Sequence, residues 1–186
     1  MSKKVIGILI GSLRRESYNK KIARHIVKLS PDGFEFRILE IGDLPLYNQD
    51  YDDDGKAPES YNEFRKTARE IDGFIFVTAE YNRSVPAVLK NALDVGSRPY
   101  GKSVWDGKPG AIISSSIGGI GGFGANHHLR QSMTFLNVLM LQQPESYIGN
   151  VAELMDDKGN ITNQRTIESL QNFVDAYIKW VKQVSA

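Results

Sequence analysis

Apolar, β-branched runs and amphipathic stretches take turns along this chain, and that alternation restricts the fold more than any other feature. Val5 to Ile10, Phe34 to Ile41, Gly73 to Thr78, Gly110 to Ser115 and a stretch within Val138 to Ile148 read as strands. Between them, Ile22, Ala23, Ile26 and Leu29 recur at helical spacing, as do Phe64, Ala68 and Ile71, then Val88, Leu89, Ala92 and Leu93. Helices are expected over Asn19 to Leu29 and Tyr61 to Ile71, in the segment after Phe123 through Leu136, and on the face marked by Ile167, Leu170, Val174, Ile178 and Val181. Right-handed crossovers lay each helix against the sheet, so βα units in series predict a parallel sheet covered on both faces. The unbroken apolar character of Phe74 to Val77 suits a strand buried on both sides.

Five strands favour an α/β, flavodoxin-like three-layer sandwich of order 2-1-3-4-5, with the ligand crevice beyond the strands' carboxyl ends. At 186 residues, with no internal repeat or dividing linker, residues 1–186 are expected to form one domain. The irregular stretch from Tyr47 to Ser60 reads as a surface loop. The chain has no Cys, so disulfides, thiolate metal sites and cysteine nucleophiles are excluded. Met-Ser-Lys-Lys leads into too short an apolar run for a signal peptide or a span, which points to a cytoplasmic protein. A formal net charge of +1 with mixed signs offers neither a polyanion footprint for nucleic acid nor a basic membrane cluster.

Three loops follow strands one, three and four, where the crevice should lie. The first, Gly11-Ser12-Leu13-Arg14-Arg15-Glu16-Ser17-Tyr18-Asn19, joins a strand to a helix, so free N–H groups and the positive helix end converge there. Ser12, Ser17 and Asn19 add neutral donors and Arg14 adds charge, which suits a phosphate monoester. The second, Thr78 to Pro86, is a polar, aromatic turn beside which a planar ring would lie, with Asn82 and backbone amides at its polar edge. The third, Ser114 to Gly124, is rich in glycine and lets backbone approach a ligand closely. Gly119, Gly121 and Gly124 also match a dinucleotide fingerprint, with Glu145 at the acidic position, but too few βα units follow for that fold.

Other constellations carry less. Asp50 to Gly55 opens like a calcium loop, yet Tyr61 stands where a bidentate Glu is required, so a solvated acidic loop is expected. His127 and His128 are adjacent, point apart on a helix and do not share a metal. No Gly-Lys-Ser/Thr phosphate loop or Gly-x-Ser-x-Gly elbow is present.

Taken together, the chain resembles the NADPH-dependent FMN reductase family, the flavodoxin-like group that includes bacterial quinone, chromate and azo-dye reductases. The likeness spans nearly the whole length. It rests on Gly11-Ser12-Leu13-Arg14 with Ser17 and Asn19, on Glu80-Tyr81-Asn82 followed by Ser84-Val85-Pro86 and Leu89-Lys90-Asn91-Ala92, and on Ser115-Ser116 with Gly118-Gly119. The resemblance implies that Ser12, Arg14, Ser17 and Asn19 hold the FMN phosphate. It places Glu80, Tyr81, Asn82, Arg83 and Ser84 near the isoalloxazine, with Ser116, Gly118 and Gly119 on its other side. The family usually has Pro at the position of Ala79, Gly at that of Ala87, and an aromatic residue or His at that of Arg83.

The activity implied is two-electron transfer from NADPH or NADH through FMN to a quinone, flavin, azo compound or chromate. Chemistry would sit at FMN N5, and no side chain need serve as acid or base. A homodimer or homotetramer is implied, with no metal, nucleic acid or membrane partner. The alternatives are a flavodoxin-type electron carrier, which a near-zero net charge disfavours, and a dinucleotide-binding module.

Overall fold

A computed structural model describes residues 3–185. Its elements run β1 (Lys4–Gly11), α1 (Tyr18–Lys28), β2 (Phe34–Leu39), the short α2 (Asp50–Asp53), α3 (Glu59–Arg69), β3 (Gly73–Thr78), α4 (Ala87–Gly96) and β4 (Pro109–Ser115). They continue with α5 (Phe123–Phe135), β5 (Leu139–Met140), β6 (Ser146–Ile148), a 3₁₀ turn (Val151–Leu154) and α6 (Gln164–Val184). All strands are parallel in the order β2-β1-β3-β4-β5, and β6 also pairs with β4. The expected order holds.

The period of two along each strand divides the core into two layers. Ile6, Ile8 and Ile10 of β1 and Ile75 and Val77 of β3 face Ile22 and Ile26 of α1 and Phe173, Val174 and Val181 of α6. Leu9, Phe74, Phe76 and Ile112 face the other way, toward Phe64 of α3, Leu89 and Leu93 of α4, and Leu129 and Met133 of α5. Trp105 is fully buried in this second layer and donates its indole N–H to the Leu93 carbonyl at 3.0 Å. Gly96 makes room for it, since a Cβ there would sit 2.6 Å from the indole.

Two expectations need correcting. The fifth strand is two short pieces, one beside each end of β4, because Pro144 lacks the N–H that a continuous ladder would need. The acidic stretch is not wholly solvated. Asp52 in α2 receives Arg65 of α3 bidentately at 2.6 and 2.7 Å, with both side chains buried, and Arg65 Nε donates to the Val95 carbonyl. The Arg65 guanidinium holds the Asp52 carboxyl below its ordinary value despite opposing desolvation. The segment before it is tied down by Asn91 of α4, which accepts from Tyr47 N–H and donates to the Leu44 and Pro45 carbonyls.

Candidate cofactor site

Parallel pairing brings the carboxyl ends of β1, β3 and β4 side by side, and the three loops leave from that edge. Gly11 and Thr78 are direct partners, and a Cβ on Gly11 would lie 2.9 Å from the Thr78 hydroxyl. Glycine therefore lets the first two loops start in close contact.

In the first loop Ser12, Ser17 and Asn19 are buried, while Leu13 to Glu16 stand out in solvent. Ser17 is the N-cap of α1, its hydroxyl accepting from Lys20 N–H at 3.3 Å. Among the described residues, the amides from Leu13 to Asn19 donate to no protein acceptor. That leaves a row of N–H groups at the positive end of α1, the chemistry an anion requires. Arg14 is exposed beside them. Asn19 Oδ1 accepts from Ser115 Oγ at 3.0 Å, so half of its amide group braces the end of β4.

The second loop is a tight hairpin. Tyr81 and Ser84 exchange backbone hydrogen bonds at 3.0 and 2.9 Å, and Asn82 and Arg83 both take positive φ, 50° and 65°, as a type I′ turn demands. Glu80 braces this hairpin. Its Oε2 accepts the Ala125 N–H at 3.0 Å in the first turn of α5, and Arg83 Nη1 reaches Oε1 at 3.3 Å. Tyr81 and Arg83 remain exposed, and Ser84 Oγ meets His128 Nδ1 at 3.1 Å.

In the third loop, consecutive serines serve three directions. Ser114 faces α5, where Asn126 Nδ2 donates to its hydroxyl at 3.2 Å; Ser115 faces α1; Ser116 Oγ accepts from Gly118 N–H at 3.1 Å and holds the turn. The glycine pattern is used for packing rather than as a dinucleotide fingerprint. A Cβ on Gly121 would meet the β6 backbone at 2.8 Å, and one on Gly124 would meet Glu80 Oε2 at 2.9 Å. Gly118 and Gly119 are different: both are exposed, and a Cβ there would meet nothing nearer than 3.7 and 3.9 Å.

A cavity of about 910 Å³ lies elsewhere, between α4 and α5, and shares only Ser84 with the candidate site residues. The chemistry of the three-loop edge is what marks it. A cleft of about 130 Å³ does adjoin the first loop, between Ser12, Lys20 and Gly42. Sequence reasoning missed the braces Ser114, Asn126, His128 and Asn91. Asn91 carried a signal, as an amide within the apolar helical pattern of Val88, Leu89, Ala92 and Leu93.

The donors fit FMN: unpaired amides and hydroxyls for a terminal phosphate at one loop, and open glycine backbone across from a polar turn for a flat ring. The family model for NADPH-dependent FMN reductase matches residues 4–153. The chain belongs to the NADPH-dependent FMN reductase family. A quinone reductase of Pseudomonas putida is 53% identical over 177 residues, 95% of this chain and 94% of that one. A 2-hydroxy-1,4-benzoquinone reductase of a Burkholderia species is 48% identical over 177 residues, covering 95% and 96%. The solved flavoenzyme NAD(P)H:(acceptor) oxidoreductase of Paracoccus denitrificans is 39% identical, with a TM-score of 0.89 over 97% of this chain and 98% of that one. As a family member the chain is an FMN-dependent oxidoreductase with NAD(P)H as electron donor, not a bare dinucleotide-binding module. None of its described helices is long and apolar enough to cross a membrane.

Proposed function

We propose that residues 1–186 form one FMN-binding domain that reduces quinones by two electrons at the expense of NAD(P)H, in the cytoplasm. The observation that carries the reading is the row of unpaired amides from Leu13 to Asn19, set beside buried Ser12 and Ser17 and within reach of the same sheet edge as the open Gly118 and Gly119. The names of the P. putida and Burkholderia relatives support the quinone as acceptor.

In this reading Ser12, Ser17, the free half of Asn19 and Arg14 bind the FMN phosphate. Tyr81, Asn82 and Ser84 border the ring on one side, and Ser116, Gly118 and Gly119 on the other. Bound flavin supplies hydride acceptance and donation, chemistry that no side chain of this Cys-free chain provides. Backbone amides fixed by the Tyr81–Ser84 hairpin offer neutral donors to the ring's polar edge, where they stabilise developing negative charge without themselves reorganising. Glu80 acts at one remove, by fixing that hairpin to α5. Arg83, mostly exposed, is placed to attract the phosphates of NADPH; Arg83→Ala raises KM for NADPH while FMN stays bound.

The chain acts as a homodimer or homotetramer through the α4–α5 face. There Tyr100 and Phe135 are 90% and 87% exposed beside the 910 Å³ groove, whose walls carry Lys90 and Arg98 as well as Asp94 and Asp106. Both charge signs on one apolar face suit self-pairing about a two-fold axis. Phe135→Ser lowers the molar mass measured by light scattering.

The deciding experiment is purification followed by visible spectroscopy and turnover. A yellow protein that releases FMN and oxidises NADPH only when a quinone is supplied is the expected result. A preparation that takes up no FMN overturns the reading.

A further inference from the structure

Five of the nine large apolar side chains left exposed among the described residues stand on the three loops or at the first residue of the helix after them: Leu13, Tyr81, Ile117, Ile120 and Phe123. Three fall together in the stretch from 117 to 123, with Ile117 72%, Ile120 59% and Phe123 47% exposed. Nothing in the scaffold calls for them. The same stretch owes its shape to Ser116 and the glycines, and its contacts with β6 are made by Gly121 backbone. Isoleucines held in water flanking two open glycines are a surface waiting for an apolar neighbour.

Phe123, the last of the three along the chain, belongs to an aromatic shelf. Its ring centroid lies 4.2 Å from that of His127 and 5.3 Å from that of Tyr147, and the His127 and Tyr147 rings are within 15° of parallel. His127 Nε2 and the Tyr147 hydroxyl are 3.1 Å apart. Glu145 also faces the Tyr147 hydroxyl, so the pair presents a polar edge beside the apolar flank. An apolar flank that ends in a hydrogen-bonding pair matches a quinone with a hydrocarbon substituent.

We propose that Ile117, Ile120 and Phe123, backed by the His127–Tyr147 pair, form the acceptor subsite and select quinones carrying apolar substituents over small polar ones. This rests on the quinone reductase reading and narrows its substrate class. The physical basis is area: each methylene withdrawn from water multiplies affinity about fourfold. A bare benzoquinone gains little from the isoleucines, whereas an alkyl chain lying along them gains several such factors.

The test uses the FMN-loaded protein and the double variant Ile117→Ser, Ile120→Ser, two exposed positions whose change leaves the core intact. The quantity read is the ratio of kcat/KM for decyl-substituted to unsubstituted 1,4-benzoquinone, which falls roughly tenfold in the variant. Calorimetry with the redox-inert dimethyl ether of decylhydroquinone gives a second reading, its Kd rising by a similar factor. An unchanged ratio together with an unchanged Kd overturns the proposal. So does an unchanged ratio accompanied by a lower molar mass in solution, which assigns the patch to a subunit contact. Failure of the underlying reading looks different, because the wild-type protein would then reduce neither quinone.

Discussion

Ser115 Oγ donates to Asn19 Oδ1 at 3.0 Å, joining positions 96 residues apart. One partner ends β4 and the other opens α1, so this bond fixes the distance between the phosphate end of the proposed site and the loop that borders the ring. Ser115→Ala leaves a buried acceptor unpaired and costs about 1–3 kcal/mol. Denaturant unfolding measures that loss, and FMN titration of the apoprotein shows a several-fold weaker Kd. A destabilised variant with unaltered FMN affinity would make the bond purely structural.

Arg14→Ala weakens FMN binding ten- to a hundredfold, the equivalent of about 1.5–3 kcal/mol for a charge-assisted hydrogen bond. Riboflavin, which lacks the phosphate, binds wild type and variant alike. Quenching of flavin fluorescence on titration gives both constants. Equal FMN affinity in the two proteins removes Arg14 from the phosphate site.

Glu80 and Gly124 are paired by geometry. Gly124→Ala drives a methyl to 2.9 Å from Glu80 Oε2 and 3.0 Å from the Arg83 carbonyl, which costs about 1–3 kcal/mol and moves the hairpin. Glu80→Gln keeps an acceptor for the Ala125 N–H and is milder than Glu80→Ala, which leaves that N–H without an acceptor. Thermal unfolding ranks Gln above Ala, and FMN retention follows the same order.

The Asp52–Arg65 pair gives an acid signature. Arg65 lowers the folded-state pKa of Asp52 beneath 3.8, so this group adds stability above that value and loses it as pH falls through the depressed one. Asp52→Asn strands a buried guanidinium and costs about 3–5 kcal/mol near neutral pH. The gap between variant and wild type, followed by chemical denaturation, narrows below pH 4.

Lys108 acts at the alkaline end. Its Nζ donates to the Ala68 and Arg69 carbonyls at 2.8 and 3.0 Å, and burial pushes its pKa down to about 8 from 10.5. The unfolded chain binds more protons between those values, so this group's contribution to stability rises with pH from about 8 to 10.5. Subtracting the pH profile of Lys108→Met from that of wild type isolates the rise; a flat difference contradicts it.

Much of this architecture was legible in the residue pattern, because strand and helix periods are local. Ile6, Ile8 and Ile10 announce a strand face, and Phe64, Ala68 and Ile71 a helix stripe. The fifth strand misled because Val138 to Leu141 and Tyr147 to Ile148 are apolar on both sides of the break, and Pro144 was the clue to it. The hydroxyl, amide and guanidinium groups of the three loops were also readable, since strand order alone brings them to one edge. Their directions were not. Asn19 with Ser115 and Glu80 with Ala125 are tertiary pairs that leave no local mark. Asp52 looks no different from Asp50 or Asp53 in the chain. What gives it away is Arg65, a charge standing on the buried stripe of Tyr61, Phe64 and Ala68.

The divided fifth strand has an effect on the fate of the protein outside its folded neighbourhood. A sheet whose outermost members on that side are only two and three residues long offers no ribbon on which a stray extended segment can lengthen itself. At the opposite rim, β2 alternates Glu35 and Arg37 with its inward residues, so charge guards the border that brevity does not. Neither rim presents a long apolar ribbon, and restoring an unbroken strand at Pro144 would create one.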